Sequence, residues 1–159
     1  MSRTGKFTKR IPEPDPVYKS RLVAKIINKA MFDGKKSVAQ KQIYTALEMI
    51  KSATGQDPLA VLRKAIENIK PQMEVRARRI GGAAYQVPMP VRGERKESLA
   101  IRWLIEFANK RPNKDYHTFA DKLSAEIQEA FNEEGLAIRK RDMTHRMAEA
   151  NKAFAHFRW

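Results

Sequence analysis

Residue types able to do acid–base or metal chemistry are few and scattered. The histidines, His117, His145 and His156, have no partner four residues away and no carboxylate cluster at ligand spacing, which points to structural or base-stacking roles. With no cysteine, thiol catalysis, disulfides and cysteine-held metals are excluded. Gly34-Lys35-Lys36-Ser37 imitates the end of a phosphate-binding P-loop, but the earlier glycine it needs falls at Lys29, and no strand precedes it. Asp115, Asp121, Glu133 and Glu134 fit solvation and helix N-terminal charge. No catalytic residue, metal site or cofactor is expected.

The spacing that does promise chemistry is cationic. Arg76, Arg78 and Arg79 stand in Met73 to Val91, MEVRARRIGGAAYQVPMPV, where Gly81-Gly82 separates two runs rich in strand formers. Paired glycines supply the positive φ angles of a two-residue hairpin turn. Pairing Ile80 with Ala83 then sets Arg79 against Ala84, Arg78 against Tyr85, Ala77 against Gln86 and Arg76 against Val87. Arginines leave from both faces, so the hairpin reads as an arm protruding toward a polyanion, some 25 Å long at about 3.3 Å per residue.

The rest of the chain must position that arm. With 159 residues and 42% hydrophobic content it suits one domain over 1–159. A net charge of +14 calls for an anionic partner, and nucleic acid ranks above membrane because there is no long apolar run, lipidation signal or secretory signal. Charge is segregated. Residues 1–36 carry ten Lys and Arg against three Asp and Glu, whereas 112–134 carry two against six, so the latter reads as the face turned away from the polyanion.

In chain order, residues 1–19 read as a flexible basic tail with Arg3, Lys6, Lys9 and Arg10 ahead of Pro12, Pro14 and Pro16. Ser20 is expected to cap a first helix with Leu22, Val23, Ile26, Ile27, Ala30 and Met31 inward and Arg21, Lys25 and Lys29 outward, ended by Gly34. Ser37 with Gln40 suggests a capping box for a second helix that stops near Gly55, and Asp57-Pro58 starts a third. After the hairpin, Arg92, Arg95 and Lys96 lead into a fourth helix with Trp103 in its core stripe. An acidic fifth helix ends at Gly135. A sixth carries Arg139, Lys140, Arg141 and Arg146 into the aromatic cluster Phe154, Phe157 and Trp159, which suggests docking or packing on the body. The fold class is therefore mainly α: a six-helix bundle with a β-hairpin arm between the third and fourth helices.

From the residues alone the reading ends at a nucleic-acid-binding helical domain. An architectural DNA binder also fits, though the tip Gly81, Gly82, Ala83 offers no apolar wedge. An RNA-modifying enzyme fits less, for want of a cofactor loop or acid–base cluster.

Three segments carry a resemblance covering essentially the whole chain: GKKSVAQKQIYTAL at 34–47, PQMEVRARRIGGAAYQVPMPVR at 71–92 and RKRDMTHRMAEANKAFAHFRW at 139–159. In these the chain resembles the bacterial form of the universal small-subunit ribosomal protein seven family. One departure is Gln42-Ile43, where the family has two adjacent apolar residues. The resemblance implies a non-enzymatic cytoplasmic ribosomal component that binds the 3′ major domain of small-subunit ribosomal RNA and nucleates assembly of the head. It implies RNA contacts from Arg3, Lys6, Lys9, Arg10, Arg21, Lys25, Lys29, Lys35, Lys36, Arg76, Arg78, Arg92, Arg95, Lys96, Arg102 and Arg111. Arg78, Arg79, Gly81, Gly82, Ala83, Tyr85 and Arg141 would lie near exit-site tRNA and mRNA. Phe154, Phe157 and Trp159 would dock protein, with the eleventh small-subunit protein approached by the C-terminal segment and the ninth a neighbour.

Overall fold

The structure, a computed structural model, describes residues 11–158. In order come α1 (Arg21–Ala30), α2 (Lys36–Thr54), α3 (Pro58–Ile69), β1 (Met73–Ile80), β2 (Ala83–Pro90), α4 (Gly93–Lys110), α5 (Phe119–Phe131), α6 (Leu136–Ala150) and a short 3-10 helix, Lys152–Phe157. The six expected α-helices are present, and the 3-10 helix makes a seventh helical element. Apolar residues at helical spacing meet in one core that runs from Val23 in α1 to Ile138 in α6. Trp103 belongs to it, at 7% exposure.

Helix ends follow local chemistry in some places and depart from it in others. Asp57 caps α3 by accepting from the Leu59 N–H, with Pro58 in the first turn. Thr118 and Asp121 form the reciprocal capping box of α5. Two expected caps fail. Ser20 occupies the N-cap of α1 but makes no side-chain cap bond. Helix α2 begins one residue before Ser37, with Lys35 at its N-cap, so no Ser37–Gln40 box forms. Gln42 does something else: its Oε1 accepts from the Ala120 N–H at 3.2 Å, so the residue that breaks the apolar pair ties α2 to the start of α5.

The expected tail to residue 19 is shorter than that. Asp15 is only 3% exposed, and one carboxylate oxygen accepts from the Val17 and Tyr18 N–H groups while the other accepts from the Tyr44 hydroxyl at 2.6 Å. Tyr18 packs on the Tyr44 ring, centroids 5.5 Å apart. Burial and then the hydrogen bond it donates to Asp15 push the Tyr44 hydroxyl up to about 12. The prolines before α1 are therefore latched onto α2, and only residues 1–10 lie outside the description on that side.

The hairpin has the expected register throughout, from Ile80 opposite Ala83 to Met73 opposite Pro90. Gly81 and Gly82 both take left-handed φ, 57° and 89°, as the two-residue turn requires. The arm is free only toward its tip. Glu74, Val87 and Pro88 near its base are buried, and α6 and the 3-10 helix lie against it. Tyr85 meets Phe154 and Phe157 with ring centroids 5.4 and 5.5 Å apart.

Candidate nucleic-acid interface

Helix α1 turns Val23, Ile26 and Ile27 inward, which leaves Arg21, Lys25 and Lys29 in a row of about 12 Å on its other face. Helix α4 lies beside it with Leu99, Ala100, Trp103 and Leu104 buried, and so offers Arg95 and Arg102 on the matching side. The two rows face each other across an open groove of about 700 Å³, with Ile11 and Pro12 on its rim. Five of the expected RNA-contacting cations, from helices some seventy residues apart, are thus brought together. Lys25 is pinned by Glu97 at 3.0 Å. Among the described residues Arg21, Lys29 and Arg102 have no ion-pair partner, and all three line the groove.

Arg95 also borders a second concavity, at the base of the hairpin, with Arg76, Arg92 and Arg158. Its organiser is Glu74. The carboxylate is 8% exposed and takes Arg95 in a fork, Nε to Oε2 at 2.9 Å and Nη2 to Oε2 at 2.8 Å, while also accepting from Arg76. Burial alone would raise the Glu74 carboxyl. Hydrogen bonds from Arg95 and Arg76 outweigh it and hold the group below its ordinary range. The arginine side chains remain 52% and 48% exposed, so Glu74 fixes their direction while their outer N–H groups still face solvent. Preset guanidinium forks of this kind suit bidentate phosphate binding.

Beyond that base, Arg79, Gly81, Gly82, Ala83 and Ala84 are exposed, and Arg78 is half-buried on the same face as Tyr85. Lys35 is exposed at the end of the α1–α2 connection and Lys36 at the start of α2, and Lys96 is half-buried in the first turn of α4. Arg3, Lys6, Lys9, Arg10 and Trp159 lie outside the described residues.

Two expected ligand-facing arginines are turned inward. Arg111 is a correction: its side chain is 7% exposed, with Nε and Nη2 on Glu126 at 2.9 and 2.7 Å, Nη2 also on Glu129, and Nη1 donating to the Tyr116 hydroxyl at 3.2 Å. Burial would lower its pKa, but the hydrogen bonds it donates to Glu129 and Glu126 raise it above the ordinary arginine value, so the guanidinium is a permanent internal cation. Arg141 donates to the Asn68 carbonyl at 2.6 Å and to Asp142, fastening α6 to the end of α3, with a side chain 22% exposed. Phe154 and Phe157, expected to dock protein, are half-buried against Tyr85 and brace the arm.

Sequence reasoning missed Arg158, which reaches the hairpin cleft from the far end of the chain, and Glu74 and Glu97, which position cations rather than oppose a ligand. No group of three or more metal-ligating side chains occurs among the described residues, and no helix there is long and apolar enough to cross a membrane. The site offers fixed cations on an irregular concave surface, which is chemistry for a polyanion and not for turnover.

Known proteins agree with that chemistry. Residues 2–152 match the family model described as ribosomal protein S7p/S5e. The small ribosomal subunit protein uS7 of Caldicellulosiruptor bescii is 55% identical over 159 residues, all of both chains; those of Nitratidesulfovibrio vulgaris DP4 and Geotalea daltonii are 54% and 52% identical over the same span. A cation-lined helical body, an arginine-bearing arm and full-length identity at this level agree: the chain belongs to the S7p/S5e family of ribosomal proteins, as a non-enzymatic, RNA-binding part of the small subunit of the cytoplasmic ribosome.

Proposed function

We propose that the protein is a primary binder of the 3′ major domain of small-subunit ribosomal RNA and that its binding nucleates assembly of the subunit head. Residues 1–159 act as one RNA-binding domain. The observation that carries this is that Arg95 lines both basic concavities, so the α1–α4 groove and the cleft at the hairpin base adjoin. A-form RNA hides its base edges in a deep groove, so a protein recognises a multi-helix junction by phosphate contacts and by shape. Two adjoining basic concavities with arginines fixed by Glu74 meet that need better than a straight recognition helix. The basic tail with Arg3, Lys6, Lys9 and Arg10 extends the same contact. The hairpin tip from Arg78 to Tyr85 lies near exit-site tRNA and the path of leaving mRNA. Phe154, Phe157 and Trp159 mark the segment that approaches the eleventh small-subunit protein, with the ninth as a neighbour.

The test is binding to a 3′ major domain transcript and to duplex DNA of equal length across a salt series. The RNA is expected to keep its advantage as salt rises; equal affinities at high salt would reduce the surface to a generic polyanion binder. Replacing Arg76, Arg78 and Arg79 together by alanine is expected to leave the helical circular dichroism intact and to flatten the log–log salt dependence by about 2. A large loss of helical signal would refute the arm's independence from the fold.

A further inference from the structure

Phe32 is 79% exposed, the highest value among the exposed large hydrophobic side chains of the described residues. The other described phenylalanines, Phe107, Phe119, Phe131, Phe154 and Phe157, are all half-buried. The backbone beneath the ring is firmly set. The Lys35 N–H donates to the Phe32 carbonyl at 2.9 Å, and the two residues between them, Asp33 and Gly34, take left-handed φ of 49° and 74°. A four-residue turn with both central residues left-handed holds its corner Cα atoms within about 7 Å, which sets Phe32 and Lys35 close together on this exposed connection. Lys36 follows, its N–H donating to the Gly34 carbonyl at 2.8 Å, and both lysines are exposed.

An exposed ring beside two ammonium groups matches one ligand chemistry well. Unpaired bases of RNA stack on aromatic faces while lysines take the flanking phosphates. A protein partner is the poorer fit, because lysine is depleted from protein–protein interfaces and the nearest exposed apolar side chain in sequence, Val38, lies beyond both lysines. We propose that Phe32 is a stacking platform for an unpaired base of the ribosomal RNA, with Lys35 and Lys36 on the adjoining phosphates. The proposal rests on the RNA reading above and adds a non-electrostatic contact to it.

Stacking and charge respond differently to salt, and that separates them. With the full-length protein and the 3′ major domain transcript, Phe32→Ala is expected to lose roughly 5- to 100-fold in affinity at every salt concentration with an unchanged salt slope. Phe32→Trp should bind within about threefold of the parent, whereas Phe32→Leu should fall with the alanine variant, since only a π face stacks. The Lys35→Ala, Lys36→Ala double variant should instead flatten the slope by about 1.5. Parental affinity in Phe32→Ala, or in Phe32→Leu, overturns the stacking assignment while leaving RNA binding intact. A change in sedimentation with parental RNA affinity overturns it in favour of contact between two copies. If the parent itself shows no preference for this RNA over duplex DNA, the broader reading fails first and takes the platform with it.

Discussion

Glu126 and Glu74 are both buried carboxylates that hold arginine, yet they serve opposite ends. Glu126 is fully buried. One oxygen takes the Arg111 fork and the other accepts from the Ala137 N–H at 2.9 Å, so this residue joins the end of α4 to the start of α6. Space beside the joint is tight: a Cβ on Gly135 would sit 2.9 Å from Glu129 Oε2. Glu74 also grips arginines, but Arg76 and Arg95 stand half in solvent. The depth of the cation decides the outcome. A guanidinium sealed on all sides becomes part of the bundle, whereas one sealed on its inner side only becomes an aimed ligand for something outside.

That contrast can be broken at Arg111. Arg111→Ala leaves Glu126 buried without its cation and is expected to cost about 3–5 kcal/mol in urea unfolding, while RNA affinity measured below the new transition stays within about twofold. An affinity loss larger than that of Arg95→Ala would put Arg111 back on the ligand surface. Asp15 sharpens the comparison as a third buried carboxylate, one served among the described residues by N–H and O–H donors and by no arginine. Tyr44→Phe removes its only side-chain donor among the described residues and should cost about 1–2 kcal/mol, with faster amide exchange at Val17 and Tyr18. Unchanged exchange would show that the backbone donors alone hold the latch.

The smallest stability effect belongs to Glu74→Gln. Its arginines can return to water, so the loss should stay under about 1 kcal/mol, while RNA affinity falls about fivefold as Arg76 and Arg95 lose their preset direction. The same variant carries a pH signature. The folded carboxyl titrates below its ordinary value of 4.5, so the unfolded chain takes up the proton first as pH falls. Glu74 therefore contributes fully above about pH 4.5, and that contribution is lost as pH drops through the depressed folded value. Glu74→Gln should flatten this part of the acid limb; an unaltered limb would refute the carboxylate's role in fastening the arm.

Local patterns made much of this legible. The hairpin register follows from the two glycines that fix the turn between Ile80 and Ala83, because a slip of one residue would send the buried Val87 to the other face. The row Arg21, Lys25, Lys29 was legible because helical periodicity assigns Val23, Ile26 and Ile27 inward. What sequence conceals is which distant element will cover a charge. The acidic run in 112–134 reads as an outward face, but Glu126 sits on the inner stripe of α5 between Leu123 and Ile127, and only the arrival of Arg111 makes that placement tolerable. Arg111 itself sits among basic residues at a helix end and differs from its exposed neighbour Lys110 only in what tertiary packing lays over it. Asp15 and Tyr44 are 29 residues apart, a pairing that no short-range pattern encodes.

The clasp of Tyr85 by Phe154 and Phe157 bears on the timing of synthesis. A chain made from its N-terminus completes both strands of the arm well before it reaches Phe154, 69 residues after Tyr85. The described lining of the α1–α4 groove, from Ile11 to Arg102, is likewise finished earlier. During translation the groove can therefore be complete before the arm's outer half is braced, and that brace closes only when Phe154 and Phe157 emerge.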